Sequence, residues 1–230
     1  MKSMNISHLP DKSQDLLKVA WDYAERHGNP VPMGELARRT EQKPSTTTEA
    51  VKRLAAQGLL KREPYGGVEL TAAGREIAVA MIRRHRLLET FLVRVLSYTW
   101  DEVHADADLL EHSVSERFIT RVDELLGHPT RDPHGDPIPQ ADGTIAAVGG
   151  KMLLSAPVGK TVVVDQIDDD DPDLLRYLAK HGVIPGARVR VLGSPVGGLI
   201  QITRERDATD NPIPLGVDGA RAIFVVESPE

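Results

Sequence analysis

One short stretch of the chain concentrates the residue types that bind metal ions. His104, Asp108, Glu111 and His112 lie within nine residues. On a helix that turns about 100° per residue, their side chains fall within an arc of roughly 100°. The spacing therefore predicts four metal ligands on one helix face.

A second pair, His85 and Glu89, has i, i+4 spacing in an earlier apolar segment, so its side chains also share a face. Carboxylates and imidazoles that converge without basic partners repel unless they are hydrated, protonated or metal-bound. We therefore expect the two faces to bind a cation. Two plainer interpretations stay open, namely a solvated helix face for the first group and a simple hydrogen-bonded pair for the second.

Composition restricts the chemistry further. The 230 residues include no cysteine, which excludes disulfides, iron–sulfur clusters, cysteine zinc sites and thiol nucleophiles. The net charge of −6 is uneven, because residues 1–72 carry 11 Lys and Arg against 9 Asp and Glu, and the remainder carries 17 against 25. Local patches decide DNA affinity, so the acidic total still allows a DNA-binding head.

Hydropathy gives no sign of a membrane protein. No apolar run approaches the roughly 20 residues that span a bilayer, and the first residues, 1–7, lack the apolar stretch of a secretory signal. We therefore expect a cytoplasmic protein without a membrane partner.

The N-terminal third alternates helical and strand patterns. Apolar spacing predicts helices at 12–27, 33–40 and 45–57, followed by a hairpin with strands at 59–63 and 68–70. Ser45 is the predicted N-cap of the third helix. Three helices and a hairpin predict a winged helix-turn-helix.

The next segments are helical and then β-rich. A long helix at 71–96 is apolar around much of its circumference, which indicates a dimer interface. One further helical stretch is predicted at 100–126, followed by a Pro/Gly-rich loop at 127–139. Short strands are expected at 161–165, 188–192, 199–203 and 222–226, with a short helix at 172–180 between the first two. These patterns predict four segments: a DNA-binding domain at 1–72, a helical domain at 73–140, a linker at 141–152 and a β-rich domain at 153–230.

The order of the motifs resembles the diphtheria toxin repressor family of metal-dependent transcriptional regulators, and more closely its manganese-responsive branch. The motifs are Glu35-Leu-Ala-Arg-Arg, Ala50-Val-Lys-Arg-Leu, Arg83-Arg-His-Arg-Leu-Leu-Glu, Val103-His with Glu111-His, and Arg131-Asp-Pro-His-Gly-Asp-Pro-Ile-Pro. The resemblance implies a mainly α fold with β structure. It comprises a winged helix-turn-helix, a helical metal-binding and dimerisation domain, and a C-terminal SH3-like (FeoA-like) β-barrel. It also implies a homodimeric repressor of double-stranded operator DNA rather than an enzyme.

Two metal sites per subunit follow from the resemblance. The implied primary ligands are Asp15, Asp108, Glu111 and His112, and the implied ancillary ligands are His85, Glu89, His104, Asp171 and Asp173. Iron-responsive members of the family have sulfur ligands where this chain has Asp15 and Asp108. Carboxylate ligands favour hard ions such as Mn²⁺. We therefore predict a Mn²⁺-dependent repressor of manganese homeostasis genes. An Fe²⁺-dependent repressor of iron uptake genes is the alternative, and Co²⁺ or other divalent metals could also bind.

The predicted recognition helix, 45–57, supplies most of the expected DNA contacts. The candidate DNA-binding residues are Arg38, Lys43, Ser45, Thr46, Thr48, Glu49, Lys52, Arg53 and Arg62.

Two other classes of protein could carry parts of this pattern. A metallohydrolase could use the same His/Asp/Glu cluster with an open position for water, but the chain lacks an H-E-x-x-H helix and a Gly-rich phosphate loop. A metal-independent winged-helix regulator of an organic ligand would leave the acidic cluster as plain surface.

Overall fold

The structure, a computed structural model, describes residues 9–62, 67–147, 149–205 and 212–228. The chain forms two compact units. The first comprises the described residues up to His85 with Glu111–Ser115 and Ile138–Ala146, and the second comprises Arg86–Leu110, Glu116–Pro137 and the described residues from 147 onward. No helix in these described segments has the length and hydropathy needed to cross a membrane.

The first unit contains the predicted winged helix-turn-helix. Its elements are α1 (Asp11–His27), β1 (Val31–Pro32), α2 (Met33–Arg39), α3 (Pro44–Ala56), β2 (Leu60–Arg62) and β3 (Gly67–Leu70). The strands form an antiparallel sheet in the order β1-β3-β2. Large buried side chains such as Leu16, Leu36 and Leu54 form the core. The predicted hairpin turn at 63–66 lies outside the described residues.

The start of α3 differs from the prediction. The helix begins at Pro44, and Lys43 occupies the N-cap position. Ser45 is therefore not the cap, because proline at the first helical position needs no amide hydrogen there and its φ suits a helix.

A long helix, α4 (Ala72–Leu96), follows β3. Thr71 caps it, since its hydroxyl accepts a hydrogen bond from the Gly74 amide at 3.1 Å. A Cβ atom at Gly74 would lie 1.9 Å from the carbonyl oxygen of Leu59. Only glycine permits this close approach of α4 to the turn before the wing.

The single helical stretch predicted at 100–126 is wrong. The structure has two helices, α5 (Val103–Glu111) and α6 (Glu116–Leu126), with non-helical residues between them. Ser113 and Ser115 lie in this break. Serine side chains compete for backbone hydrogen bonds and so favour helix ends. His112 consequently lies just beyond the helix that was expected to carry it.

The C-terminal part of the second unit is an antiparallel sheet in the order β4-β9-β5-β6-β7-β8. The elements are β4 (Lys151–Met152), a 3₁₀ turn (Leu153–Ser155), β5 (Thr161–Ile167), α7 (Pro172–Lys180), β6 (Arg188–Val191), β7 (Leu199–Arg204), β8 (Ile213–Gly216), α8 (Val217–Arg221) and β9 (Ile223–Glu227). The domain expected to be SH3-like is thus this six-stranded sheet with α7 packed into its core through Leu175 and Leu178. Sequence patterns missed β4 and β8, because the first has two residues and the second contains Pro214.

Candidate metal centre

Three predicted ligands converge in the first unit. Asp15, Glu111 and His112, here called the primary cluster, each offer a ligand atom, and these atoms lie within 4.8 Å of one another. His112 Nε2 is 2.8 Å from Asp15 Oδ1 and 3.5 Å from Glu111 Oε1. Carboxylates and an imidazole arranged in this way fit a divalent cation, which would replace the hydrogen bonds that now join them.

Neighbouring side chains hold the primary cluster in position. Arg84 donates a hydrogen bond to the carbonyl oxygen of Glu111 at 3.2 Å, at the C-terminal end of α5. Gln14 Nε2 donates to the carbonyl oxygen of Leu9, so Gln14 Oε1 faces His112 Nδ1 at 3.3 Å. Because an amide oxygen only accepts, Nδ1 is the donor in this contact and Nε2 is left for a metal ion.

Lys18 adjoins the primary cluster, and sequence reasoning missed it. Its ammonium lies 2.7 Å from Glu111 Oε1 and 3.3 Å from His85 Nδ1. The other oxygen of Glu111 lies 2.7 Å from the same His85 nitrogen. The sequence does contain one indication of this position. Lys18 follows Asp15 by three residues, so the two side chains lie on the same face of α1.

A second group of ligand atoms lies in the second unit. Glu89, His104 and Asp169, here called the second cluster, have ligand atoms within 4.8 Å of one another. His104 Nδ1 is 2.8 Å from Asp169 Oδ2 and 3.5 Å from Glu89 Oε1. Burial opposes charge on Asp169, but His104 and His134 outweigh it and hold the pKa of this carboxyl well below its usual range.

Asp169, rather than the expected Asp171 or Asp173, is the aspartate that the structure places beside His104, and the two expected assignments stay predictions. Asp169 approaches His104, whereas Asp171 caps α7 and accepts hydrogen bonds from the amides of Asp173 and Leu174. The side chain of Asp173 is 89% exposed and pairs with Arg176. Four consecutive aspartates end at the cap of α7, and sequence alone could not show which of them turns toward the helices.

Residues 104–112 divide between the two clusters, as the family resemblance implies. His104 belongs to the second cluster, and Glu111 and His112 belong to the primary cluster. Asp108 is in the second unit, where its Oδ2 lies 3.5 Å from His104 Nε2. The assignments of Asp108 to the primary ligands and of His85 to the ancillary ligands stay predictions.

The loop after α6 places a further histidine beside the second cluster. His134 is fully buried, and its Nδ1 lies 3.8 Å from Glu89 Oε2 and 3.9 Å from Asp169 Oδ2. Burial alone would lower the pKa of His134, but Glu89, Asp169 and Asp132 raise it to about 10. This negative field would also attract a metal ion. In the sequence, His134 lies within the motif that begins at Arg131, and local spacing does not single it out as a candidate metal ligand.

The candidate DNA-binding residues lie on the solvent side of the head. The buried face of α3 consists of Thr47, Ala50, Val51 and Leu54. All the predicted contact residues are exposed except Thr48, which is half-buried. Lys52 pairs with Glu49 at 2.7 Å, and Arg38 pairs with Glu35 at 3.1 Å. Their roles in DNA binding stay predictions.

Three family models match successive parts of the chain. They are the N-terminal DNA binding domain of iron dependent repressors at residues 8–68, the metal binding and dimerisation domain of the same repressors at 71–140, and the FeoA domain at 151–227. Together they span the head, the helices that carry the ligands, and the C-terminal sheet. The predicted order of these domains is thus confirmed.

Individual relatives agree with the family models. The iron-dependent repressor IdeR of Mycobacterium leprae (strain TN) is 37% identical over 209 residues, which cover 86% of this chain and 90% of the relative. A solved manganese-dependent transcriptional repressor in complex with manganese is 45% identical, with a TM-score of 0.88, and the match covers 94% of this chain and all of the other. The structure of ScaR with bound Zn²⁺ is 31% identical, with a TM-score of 0.80 and coverage of 94% and 99%. The family models over most of the chain and the 37% identical relative show that the chain belongs to the diphtheria toxin repressor and IdeR family of metal-dependent transcriptional repressors.

Proposed function

We propose that this chain is a Mn²⁺-dependent homodimeric repressor that binds the operators of manganese homeostasis genes in the cytoplasm. The donor set of the primary cluster carries the proposal, because Asp15, Glu111 and His112 offer only oxygen and nitrogen. Hard oxygen ligands suit Mn²⁺ better than sulfur does. The similarity to a repressor solved with manganese supports this choice, whereas the similarity to IdeR keeps Fe²⁺ as the second candidate.

Metal binding would act on DNA binding through α1. Asp15 lies on the first helix of the DNA-binding head, and Glu111 and His112 lie at the end of α5. A cation held by all three would join these two segments. If it favours the form of the head that fits the operator, linkage requires DNA to raise metal affinity by the same factor, typically about 1–3 kcal/mol.

Exposed apolar side chains on the helices support the proposed homodimer. Large hydrophobic residues that remain exposed in the single chain include Val95 and Leu96 on α4, Leu109 on α5, and Phe118 and Leu125 on α6. Exposed apolar side chains of this size are costly in a monomer, and a second copy of the chain would cover them.

Fluorescence anisotropy on a manganese-transporter promoter fragment tests the proposal. We would titrate the protein in chelator, with Mn²⁺, and with Fe²⁺ under anaerobic conditions, at one stated salt concentration. Tight binding in Mn²⁺ alone is the expected result. Equal stimulation of DNA binding by Fe²⁺ would contradict the choice of metal. DNA affinity that is the same with and without metal would contradict metal-dependent repression by this chain.

Two variants connect the result to the primary cluster. Asp15→Ala removes a ligand and should abolish the stimulation by Mn²⁺ while leaving the dimer intact. Asp11→Ala is the matched control, because it removes a carboxylate one turn away on α1 whose side chain is exposed and 3.9 Å from His112 Nδ1. Stimulation of D15A to the wild-type level would contradict the role of the primary cluster.

A further inference from the structure

His134 has an unusually well-defined environment for a histidine in a loop. Its Nε2 lies 2.7 Å from the carbonyl oxygen of Trp100, and its ring stacks on the Trp100 indole with the centroids 5.7 Å apart. A carbonyl oxygen only accepts hydrogen bonds, so Nε2 carries the hydrogen in this contact. The orientation of the ring is therefore determined.

Among the described residues, the other nitrogen makes only long ion-pair contacts. His134 Nδ1 is buried, and the nearest carboxylate oxygens of Glu89 and Asp169 are 3.8 and 3.9 Å away. These separations are longer than those of ordinary N–H···O hydrogen bonds. A buried polar atom that lacks a close hydrogen-bond partner destabilises the folded chain. Such a cost in a well-packed loop calls for an explanation.

A metal ion accounts for the spacing. Two ligand atoms that each lie about 2.0–2.2 Å from one ion are at most roughly 4.4 Å apart. The distances among Nδ1 of His134, the two carboxylates and His104 Nδ1 range from 2.8 to 3.9 Å for the pairs measured. Each of these pairs is short enough to share one cation, with Glu89 offering Oε1 toward His104 and Oε2 toward His134. Glu89, Asp132 and His134 also have ligand atoms within 4.8 Å of one another.

We propose that His134 binds a divalent metal ion through Nδ1 as a fourth side-chain ligand of the second cluster, beside Glu89, His104 and Asp169. The inference rests on the proposed function, because it assumes that the chain binds such an ion. The hydrogen bond from Nε2 to Trp100 corresponds to the outer-shell contact that metal-bound histidines usually make with a carbonyl or carboxylate.

The loop that carries His134 is rigid enough to present a ligand. Asp132 Oδ1 accepts hydrogen bonds from the amides of His134 and Asp136, both at 2.9 Å. The carbonyl oxygen of His134 accepts from the amide of Ile167 at 3.0 Å. A Cβ atom at Gly135 would lie 2.1 Å from the carbonyl oxygen of Asp165, so the loop packs directly on β5. These contacts hold Nδ1 toward the carboxylates before any metal binds.

Pulsed EPR of bound Mn²⁺ counts nitrogen ligands and therefore tests the proposal directly. The full chain with His112→Ala has lost a ligand of the primary cluster, so its bound Mn²⁺ reports mainly on the second cluster. Adding His134→Gln should remove one imidazole nitrogen from the ¹⁴N modulation and weaken Mn²⁺ binding by at least about tenfold, since even outer-shell changes cost 10- to 100-fold. His128→Gln is the matched control, because His128 is 68% exposed and pairs with Asp123. It should change neither the nitrogen count nor the affinity.

A purely structural role for His134 predicts a different result. The metal-free protein would then melt at a lower temperature, but the nitrogen count and the rise in melting temperature on adding Mn²⁺ would stay unchanged. That outcome would overturn the proposal. If H134Q fails to fold, manganese anomalous density in wild-type crystals decides the question. A peak roughly 2.0–2.2 Å from His134 Nδ1 supports it, and a peak in the second cluster beyond hydrogen-bonding distance of Nδ1 overturns it.

The failure of this inference can be distinguished from the failure of the proposed function. If Mn²⁺ binds and stimulates DNA binding, but the number of nitrogen ligands is the same in His134→Gln, only the assignment of His134 as a ligand is wrong. If Mn²⁺ neither binds nor stimulates DNA binding, the proposed function itself is wrong.

Discussion

Lys18 places a positive charge where the metal would bind, and its removal should affect the metal-free and metal-bound protein in opposite ways. Its side chain is 10% exposed, and its partner Glu111 is fully buried. In the absence of metal, the ammonium supplies the charge that balances Glu111. A divalent ion bound to Glu111 would supply the same balance and would be repelled by Lys18.

The expected loss of stability in metal-free Lys18→Met follows from the burial of the pair. Removing one partner of a buried ion pair costs about 3–5 kcal/mol, because the other charge is left uncompensated. For a chain of this size, each kcal/mol shifts the melting midpoint by about 2–4 °C. The midpoint of metal-free K18M should therefore fall by roughly 6–20 °C.

The expected gain in metal affinity comes from the repulsion that disappears. Two unit charges 4 Å apart interact by about 4 kcal/mol at an effective dielectric constant of 20, and a divalent ion doubles this upper bound. Lysine can move its ammonium away from the ion, so only part of the repulsion persists in the metal-bound wild type. We expect Mn²⁺ affinity to rise about 10- to 100-fold in K18M, which corresponds to about 1.4–2.8 kcal/mol.

Thermal melts in chelator and calorimetric titration with Mn²⁺ measure the two effects. Lys12→Met is the matched control, because Lys12 lies 3.4 Å from Asp15 on the same helix but is 77% exposed. Such a surface pair contributes at most about 1 kcal/mol. An unchanged midpoint in metal-free K18M, or Mn²⁺ affinity equal to or below that of the wild type, would refute the reasoning.

Three further predictions concern the packing of the fold and the dimer interface. Gly74→Ala should destabilise the head by more than about 1 kcal/mol in a melt, because its Cβ atom would clash with a backbone oxygen, whereas Gly34→Ala in α2 meets no atom within 4 Å and should be neutral or stabilising. Arg86→Met should cost about 3–5 kcal/mol of unfolding free energy, because the buried guanidinium lies near two loop carboxylates. An equal loss in Arg121→Met, which removes an exposed pair, would contradict that account. Leu125→Glu on the exposed face of α6 should shift the protein toward monomer in sedimentation velocity. An unchanged dimer would show that Leu125 does not lie in the dimer interface.

Local patterns in the sequence predicted most of the elements. The period of the apolar residues predicted α1, α4 and α7 to within about two residues, because each helix buries a continuous stripe. Glycine and proline marked the ends of the elements in the head. The absence of cysteine limited any metal site to oxygen and nitrogen ligands.

Membership of each cluster depended on contacts between residues far apart in the chain. Helical spacing alone places His104 on one face with Glu111 and His112. In the structure α5 ends at Glu111, and Glu111 and His112 meet Asp15 of α1, whereas His104 meets Glu89 and Asp169. The cap of α7 determined that Asp169 and not Asp171 faces His104. Spacing along a helix shows which side chains share a face, but it cannot show which distant residues meet that face.

The sequence by itself thus determined the domain order, the class of ligand atoms and the helices that carry them, because these follow from periodicity and residue chemistry over short stretches. Only the tertiary structure placed Lys18 against Glu111 and His134 against Glu89, across separations of 93 and 45 residues in the chain. Such pairs form when separately folded segments pack together. The electrostatic balance of the metal clusters is therefore a property of packing, which no local pattern of residues encodes.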